Sequence, residues 1–180
     1  MRTALLAKPV SGLPVNKNEI LILYDYNYWA NARVLSAAAR VTPEQFLAPA
    51  NLSHGSVRGA LVHTLGAEVV WRMRWQEGIS LPGLPAETEF PTLGEVQARW
   101  REEERKMRAF LATLTDDGLQ QPLRYQSTKG VPYENVLWQL LMHLVNHGTQ
   151  FRGEAAVALT AYGQSPGDLD MLAFFRGRAG

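Results

Sequence analysis

The chain has 180 residues, of which 46% are hydrophobic and 19% charged, and its formal net charge at pH 7 is +1. These values suit one folded domain with a sizeable core, and the near-neutral charge gives no global electrostatic reason to bind nucleic acid or an anionic membrane. There are no cysteines, which excludes disulfides, thiolate metal sites and a cysteine nucleophile. The N-terminal apolar stretch is too short for a signal peptide or a membrane span, so we expect a cytoplasmic protein.

The first long helix is predicted to begin at Asn16 or Asn18 and to continue to about residue 40. Asn16 and Glu19 have the three-residue spacing of a capping box, in which two side chains satisfy backbone N–H groups reciprocally. A threonine followed by a proline then predicts a short helix over residues 43–47.

The second long helix is predicted to begin at Ser53 or Ser56 and to end at Glu77, because Gly78 can adopt the left-handed conformation that terminates a helix. The proline-rich residues 79–91 that follow predict an extended crossover on the surface.

A third long helix is predicted over residues 92–114 and a fourth over residues 134–162. Between them, residues 122–133 predict a short hairpin, and residues 169–175 predict a short C-terminal helix. Four long helices with almost no strand signal indicate an all-α four-helix bundle. We therefore expect an N-terminal arm over residues 1–15 and one bundle domain over residues 16–180.

Histidines provide the main chemical signal. His143 and His147 lie four residues apart on the fourth helix, which places them on one face and about 6 Å apart along the axis. His63 lies in the apolar middle of the second helix. If the three rings converge, their nitrogens favour zinc, nickel, iron or another first-row divalent metal. The alternative is that these are ordinary core or surface histidines.

Several other residues bear on this site. Glu68 and Glu154 are candidates to orient the imidazoles or to add ligands, with surface carboxylates as the alternative. His54, in a loop-like segment, is predicted to be a surface residue. Gly148 and Gly153 lower the helix propensity of the fourth helix, which indicates close approach of another helix or of a ligand.

Motifs in three helices, in the same order along the chain, resemble the DinB/YfiT-like family. The resemblance runs from about residue 20 to residue 175 and implies an up-down-down-up bundle, often dimeric, with a three-histidine divalent-metal site. The segments that carry it are Tyr28-Trp29-Ala30-Asn31, Ser56-Val57-Arg58-Gly59-Ala60-Leu61-Val62-His63 and Asn146-His147-Gly148-Thr149-Gln150-Phe151-Arg152-Gly153-Glu154.

The implied ligand on the second helix is His63, and the first of the i,i+4 pair on the fourth helix is His147. The second ligand of that pair should lie at position 151, where this chain has Phe151. A phenyl ring cannot bind a metal ion. Three alternatives follow. His143 supplies the third ligand one turn earlier, or the side chain of Gln150 or Glu154 supplies it, or the site has only two ligands and holds metal weakly or not at all.

The sequence is compatible with two functions. The resemblance implies a divalent-metal-dependent enzyme of thiol-transferase or hydrolase type, acting on a small-molecule substrate with or without a low-molecular-weight thiol. The departure at Phe151 favours the alternative, a degenerate and non-catalytic stress-response binding protein with an incomplete metal site. In both cases we expect a homodimer that binds neither nucleic acid nor membrane.

Overall fold

The computed structural model describes residues 15–178, so all of the predicted N-terminal arm except Val15 lies outside the described residues. Helices account for most of this range, together with one two-stranded antiparallel sheet. The elements are α1 Lys17–Ala38, α2 Pro43–Leu47, α3 Val57–Arg72, α4 Leu93–Thr113, α5 Asp116–Leu119, β1 Pro122–Gln126, β2 Pro132–Val136, α6 Leu137–Ala161 and α7 Met171–Arg178.

Side-chain caps set the starts of three of the four long helices, α1, α3 and α4, whereas α6 begins without one. The Asn16 side chain accepts a hydrogen bond from the backbone of Glu19 at 3.0 Å, and the Glu19 carboxylate accepts one from the Asn16 backbone at 2.9 Å. Ser56 caps α3 in the same way, through the backbone N–H of Gly59. Each cap satisfies donors that the first turn of a helix leaves unpaired.

Helix α3 changes its helical geometry at its C-terminal end. After Arg72 it widens into a π-helical turn, Met73–Glu77, which ends at Gly78 with φ of 68°. The wider turn shifts the direction of its side chains, and such turns are frequent at functional sites.

Directions of the helices follow from their contacts. On α1 and α6, Tyr24 donates to the Leu141 carbonyl and Asn27 accepts from Arg152, so these helices are parallel. The start of α1 meets the end of α4, where Lys17 donates to the Ala112 carbonyl at 2.6 Å.

Helices α3 and α6 run in opposite directions, because His63 faces His147 while Trp71, two turns later, faces His143. The order is therefore up-down-down-up, and the all-α prediction is confirmed together with the hairpin and the C-terminal helix. The fourth long helix begins three residues later than predicted, because residues 134–136 pair with β1. No helix within residues 15–178 is long and apolar enough to cross a membrane.

Candidate functional site

A cavity of about 280 Å³ opens between α3, α6 and the hairpin. Aromatic and aliphatic side chains make most of its wall, and three histidines, one arginine and four hydroxyl-bearing residues supply the polar atoms. The lining residues are His63, Ala67, Val70, Trp71, Arg74, Leu84, Tyr125, Ser127, Thr128, Tyr133, His143 and His147. A concave, largely apolar space with a few convergent polar groups is the usual form of a small-molecule site.

His63 and His147 form a pair in the wall of this cavity. Their Nε2 atoms lie 3.1 Å apart, within hydrogen-bond distance; in such a bond one Nε2 carries the hydrogen and donates, and the other accepts. The rings come from antiparallel helices, which explains why residues 84 positions apart in the chain meet. The structure therefore brings these two predicted site residues together.

Phe151 packs against both rings of the pair. Its centroid lies 4.3 Å from the His63 ring and 4.6 Å from the His147 ring. The phenyl side chain is only 8% exposed. The ring thus fills the space at position 151, where the family resemblance implies the third metal ligand, the second one on α6.

The other two histidines, His143 and His54, differ in their exposure and in the rings that they contact. The His143 ring is exposed, lies 6.0 Å from the His147 ring and meets the Trp71 ring edge to face at 5.5 Å. His54 is half-buried and stacks on His63 with ring centroids 3.7 Å apart. The prediction of His54 as a surface residue was wrong, because the loop before α3 folds back over that helix.

Burial keeps the paired histidines neutral. Desolvation, reinforced by the neighbouring His54, lowers the pKa of His63 from 6.5 to about 4. Desolvation also lowers the pKa of His147 to about 4, with His63 and His143 adding to the effect. At pH 7 the pair is a neutral donor and acceptor rather than a charged group.

The residues present do not fit a three-histidine metal centre. Within residues 15–178, no three His, Asp or Glu side chains stand together so that they could hold an ion. The buried Nδ1 of His147 also has no hydrogen-bond partner among those residues, whereas a ligating histidine normally has its second nitrogen held by a carboxylate or carbonyl. The geometry supplies two donors that converge, one fewer than the usual catalytic zinc site.

The two glutamates that sequence reasoning placed near the histidines serve other contacts. Glu154 accepts hydrogen bonds from the Ser53 backbone at 2.8 Å and from its hydroxyl at 2.7 Å. Glu68 is buried and accepts from the side-chain amides of Asn27 and Asn31, each at 3.1 Å. Neither carboxylate hydrogen-bonds an imidazole of the pair.

Glu68 belongs to a buried polar network in the core of the bundle. Arg152, 2% exposed, donates to the side-chain oxygens of Asn27 and Asn31, so the two amides bridge the guanidinium and the carboxylate. Burial raises the pKa of Glu68 to about 7, even though these hydrogen bonds and the nearby Arg152 oppose the shift. The network links α1, α3 and α6, the helices that carry the family-like motifs.

Sequence reasoning missed the cavity residue Arg74. It lies on the π-helical turn, beside the ring of Trp71 with 4.5 Å from its Cζ atom to the ring centroid. The available signal was a pair of arginines, Arg72 and Arg74, in the otherwise largely apolar C-terminal half of the second long helix. Regular α-helical geometry, however, does not predict where a π turn points its side chains.

The fold and the site define a class: an up-down-down-up helical bundle with a histidine-lined cavity between its second and fourth long helices. The DinB family model matches residues 15–178, and the chain belongs to this family. Its sequence is 24% identical over 160 residues to Protein DinB of Bacillus subtilis (strain 168), an alignment that covers 84% of this chain and 92% of the relative.

Proposed function

We propose that this chain is a small-molecule-binding member of the DinB family whose cavity works without a three-histidine metal centre. The observation that carries the proposal is the position of Phe151. Its buried ring packs on both imidazoles of the pair and takes the place of a third donor on α6. This proposal adopts the binding-protein alternative over the metal-dependent enzyme.

The cavity itself supports binding of a compact, partly aromatic ligand. Trp71, Tyr125 and Tyr133 present aromatic rings, with Trp71 and Tyr125 meeting edge to face at 5.1 Å and the two tyrosines stacked at 5.8 Å. These large side chains can contact an apolar ligand with little loss of conformational entropy, because each has few rotatable bonds. The neutral histidine pair adds hydrogen-bonding atoms in the same wall.

A specific distance favours a second candidate, the divalent-metal-dependent thiol transferase or hydrolase. Two nitrogens that bind one ion at about 2.1 Å lie about 3.0 to 3.4 Å apart in octahedral or tetrahedral geometry, and the Nε2 atoms of His63 and His147 are 3.1 Å apart. The pair has the spacing of a two-nitrogen ligand set, and a metal-dependent activity would need its remaining ligands from outside these two side chains.

Metal analysis separates the two candidates. Under the binding-protein proposal, purified protein carries far less than one equivalent of nickel, zinc or iron, and His63→Ala leaves the metal content unchanged. Near-stoichiometric metal that disappears in His63→Ala would overturn the proposal in favour of the enzyme. Asn146→Ala, an exposed change on the same helix as His147, is the matched control.

Ligand binding tests the cavity directly. Trp71 lines the cavity, so its fluorescence should respond to neutral aromatic probes such as 3-phenylpropanamide. We expect saturable quenching that Trp71→Leu removes. Absence of saturable binding for a panel of such probes would contradict the proposal.

The oligomeric state of the chain is a further part of the proposal. We infer a homodimer, as the resemblance implies, and exposed apolar side chains such as Val157 and Leu172 offer area that a second copy could cover. Light scattering after size exclusion should give twice the mass of the 20.1 kDa chain. A monomeric mass at micromolar concentration would contradict the dimer without affecting the cavity.

A further inference from the structure

Arg74 is a buried cation whose guanidinium has no partner among the residues that the structure describes. Its side chain lines the cavity and the residue is only 6% exposed. Among residues 15–178, no carboxylate pairs with its guanidinium, and its enclosed Nε has no hydrogen-bond acceptor. Burying an unpaired charge is costly, so this arrangement calls for an explanation.

Other buried arginines of the bundle are satisfied. Arg72, two residues earlier, forms a two-pronged ion pair with the carboxylate of Glu103. Arg152 donates to Asn27 and Asn31. Of these three buried arginines, Arg74 alone has no partner among the described residues. The half-buried Arg33, which lies over the Trp29 ring, also has an enclosed Nε without an acceptor there, but it does not line the cavity.

Aromatic rings hold the guanidinium in place without using its hydrogen bonds. Its Cζ lies 4.5 Å from the Trp71 ring centroid and 5.3 Å from that of Tyr125. Cation–π contacts of this kind involve the positive charge of the group and use none of its N–H donors. The in-plane N–H groups at the two Nη atoms remain for an acceptor, and that edge matches the two oxygens of a carboxylate.

The charge of the cavity selects the sign of the ligand. None of its lining residues is acidic. Arg74 is the one side chain among these lining residues that stays charged at any physiological pH, so it supplies the formal charge of the wall. A monoanion would neutralise that charge, whereas a cation would meet repulsion inside a low-dielectric space.

We infer that Arg74 is the anion receptor of the cavity and binds the carboxylate of a small aromatic acid whose ring lies against Trp71, Tyr125 or Tyr133. The inference rests on the proposed function and narrows it, since it names the ligand class of the same cavity. The histidine pair would contact the part of the ligand away from the carboxylate.

A pair of matched ligands tests the inference. 3-Phenylpropanoate and 3-phenylpropanamide have nearly the same shape and differ in charge. Calorimetry at fixed ionic strength should give the acid a Kd about 10- to 100-fold lower than that of the amide, the usual effect of charge-assisted hydrogen bonds. Arg74→Gln should bring the acid's Kd to within about 3-fold of the amide's and leave the amide's Kd unchanged, because only the charge partner is lost.

Arg105→Gln is the matched control, since it removes the same charge from an exposed position of α4. It should leave both affinities unchanged. Equal binding of acid and amide to the unmodified protein would overturn the inference about Arg74 while leaving the cavity as a binding site. Failure of both compounds to bind would overturn the inference and the proposed function together. The comparison in the unmodified protein decides the matter even if Arg74→Gln does not fold.

Discussion

The ring of Phe151 meets the ring of His63 edge to face, with 4.3 Å between their centroids. This contact joins α6 to α3 at the position where the family resemblance implies a metal ligand. An apolar side chain there changes the site in two ways. It removes a donor, and it desolvates the two imidazoles that remain, which favours their neutral forms.

Restoring a histidine at position 151 should restore metal binding. In Phe151→His, a third imidazole would replace the phenyl ring beside His63 and His147. We expect affinity for Ni²⁺ or Zn²⁺ to rise at least 10-fold, about 1.4 kcal/mol. Calorimetry and metal-dependent thermal stabilisation measure the effect. Phe151→Leu, which also removes the ring but adds no donor, should show no gain. Equal metal affinity in Phe151→His and the unmodified protein would mean that residue 151 does not face the ion position.

The histidine pair should make stability depend on pH. The unfolded chain takes up protons on His63 and His147 near pH 6.5, whereas the folded protein does so only near pH 4. Between these values the unfolded state binds more protons, so stability from the pair should rise from pH 4 to pH 6.5 and be lost on acidification. For each of the two histidines, about 3 kcal/mol is the upper limit of this contribution, since one pKa unit corresponds to about 1.4 kcal/mol. Urea unfolding of the double variant His63→Gln/His147→Gln should lack this acid-side rise.

Glu68 should oppose that trend. Its pKa is raised from 4.5 to about 7 in the folded protein, so the folded state holds a proton that the unfolded state releases. Its contribution is fully present below pH 4.5 and is lost as pH rises through 7. Glu68→Gln keeps an acceptor for Asn27 and Asn31 and removes the titration. We expect this variant to gain stability more steeply between pH 4.5 and 6.5 than the unmodified protein. An unchanged slope would show that Glu68 titrates at its ordinary value.

Local sequence signals predicted the scaffold well. The capping box of Asn16 and Glu19 and the left-handed Gly78 are short-range features, so the helices they bound could be read from neighbouring residues. The family resemblance implied that His63 and His147 lie in one site, whereas helix periodicity alone placed only His143 and His147 on one face. The stacking of His54 on His63 and the aim of Arg74 depend on a loop that folds back and on a π turn. Both arise from tertiary packing, which no local pattern encodes.

The buried network should carry a large share of the stability of the bundle. Arg152→Met removes the donor to the side-chain oxygens of Asn27 and Asn31, and it removes the positive charge near Glu68. We expect a loss of about 3–5 kcal/mol, the usual cost of breaking a buried charged network. Arg105→Met, the same change at an exposed position of α4, should shift stability by less than about 0.5 kcal/mol. Chemical denaturation of both variants checks the difference, and similar losses would show that the network adds little.

Two glycines of α6 should respond in opposite directions to the same substitution. A Cβ added at Gly148 would lie 2.7 Å from Nη1 of Arg152 and 3.1 Å from Oδ1 of Asn27, so it would push apart the hydrogen bond that joins α6 to α1. At Gly153, five residues later on the same helix, an added Cβ meets no atom within 4 Å among the described residues. Alanine is favoured over glycine in a helix by up to about 1 kcal/mol, so Gly153→Ala should stabilise the protein by about that amount. Gly148→Ala should destabilise it by about 1–3 kcal/mol, because a disturbed buried polar contact outweighs the helix propensity.

Thermal and urea unfolding measure both changes. Stabilisation by Gly148→Ala would mean that Arg152 and Asn27 can move apart at little cost, and the network would then be a consequence of the bundle rather than a reason for its register.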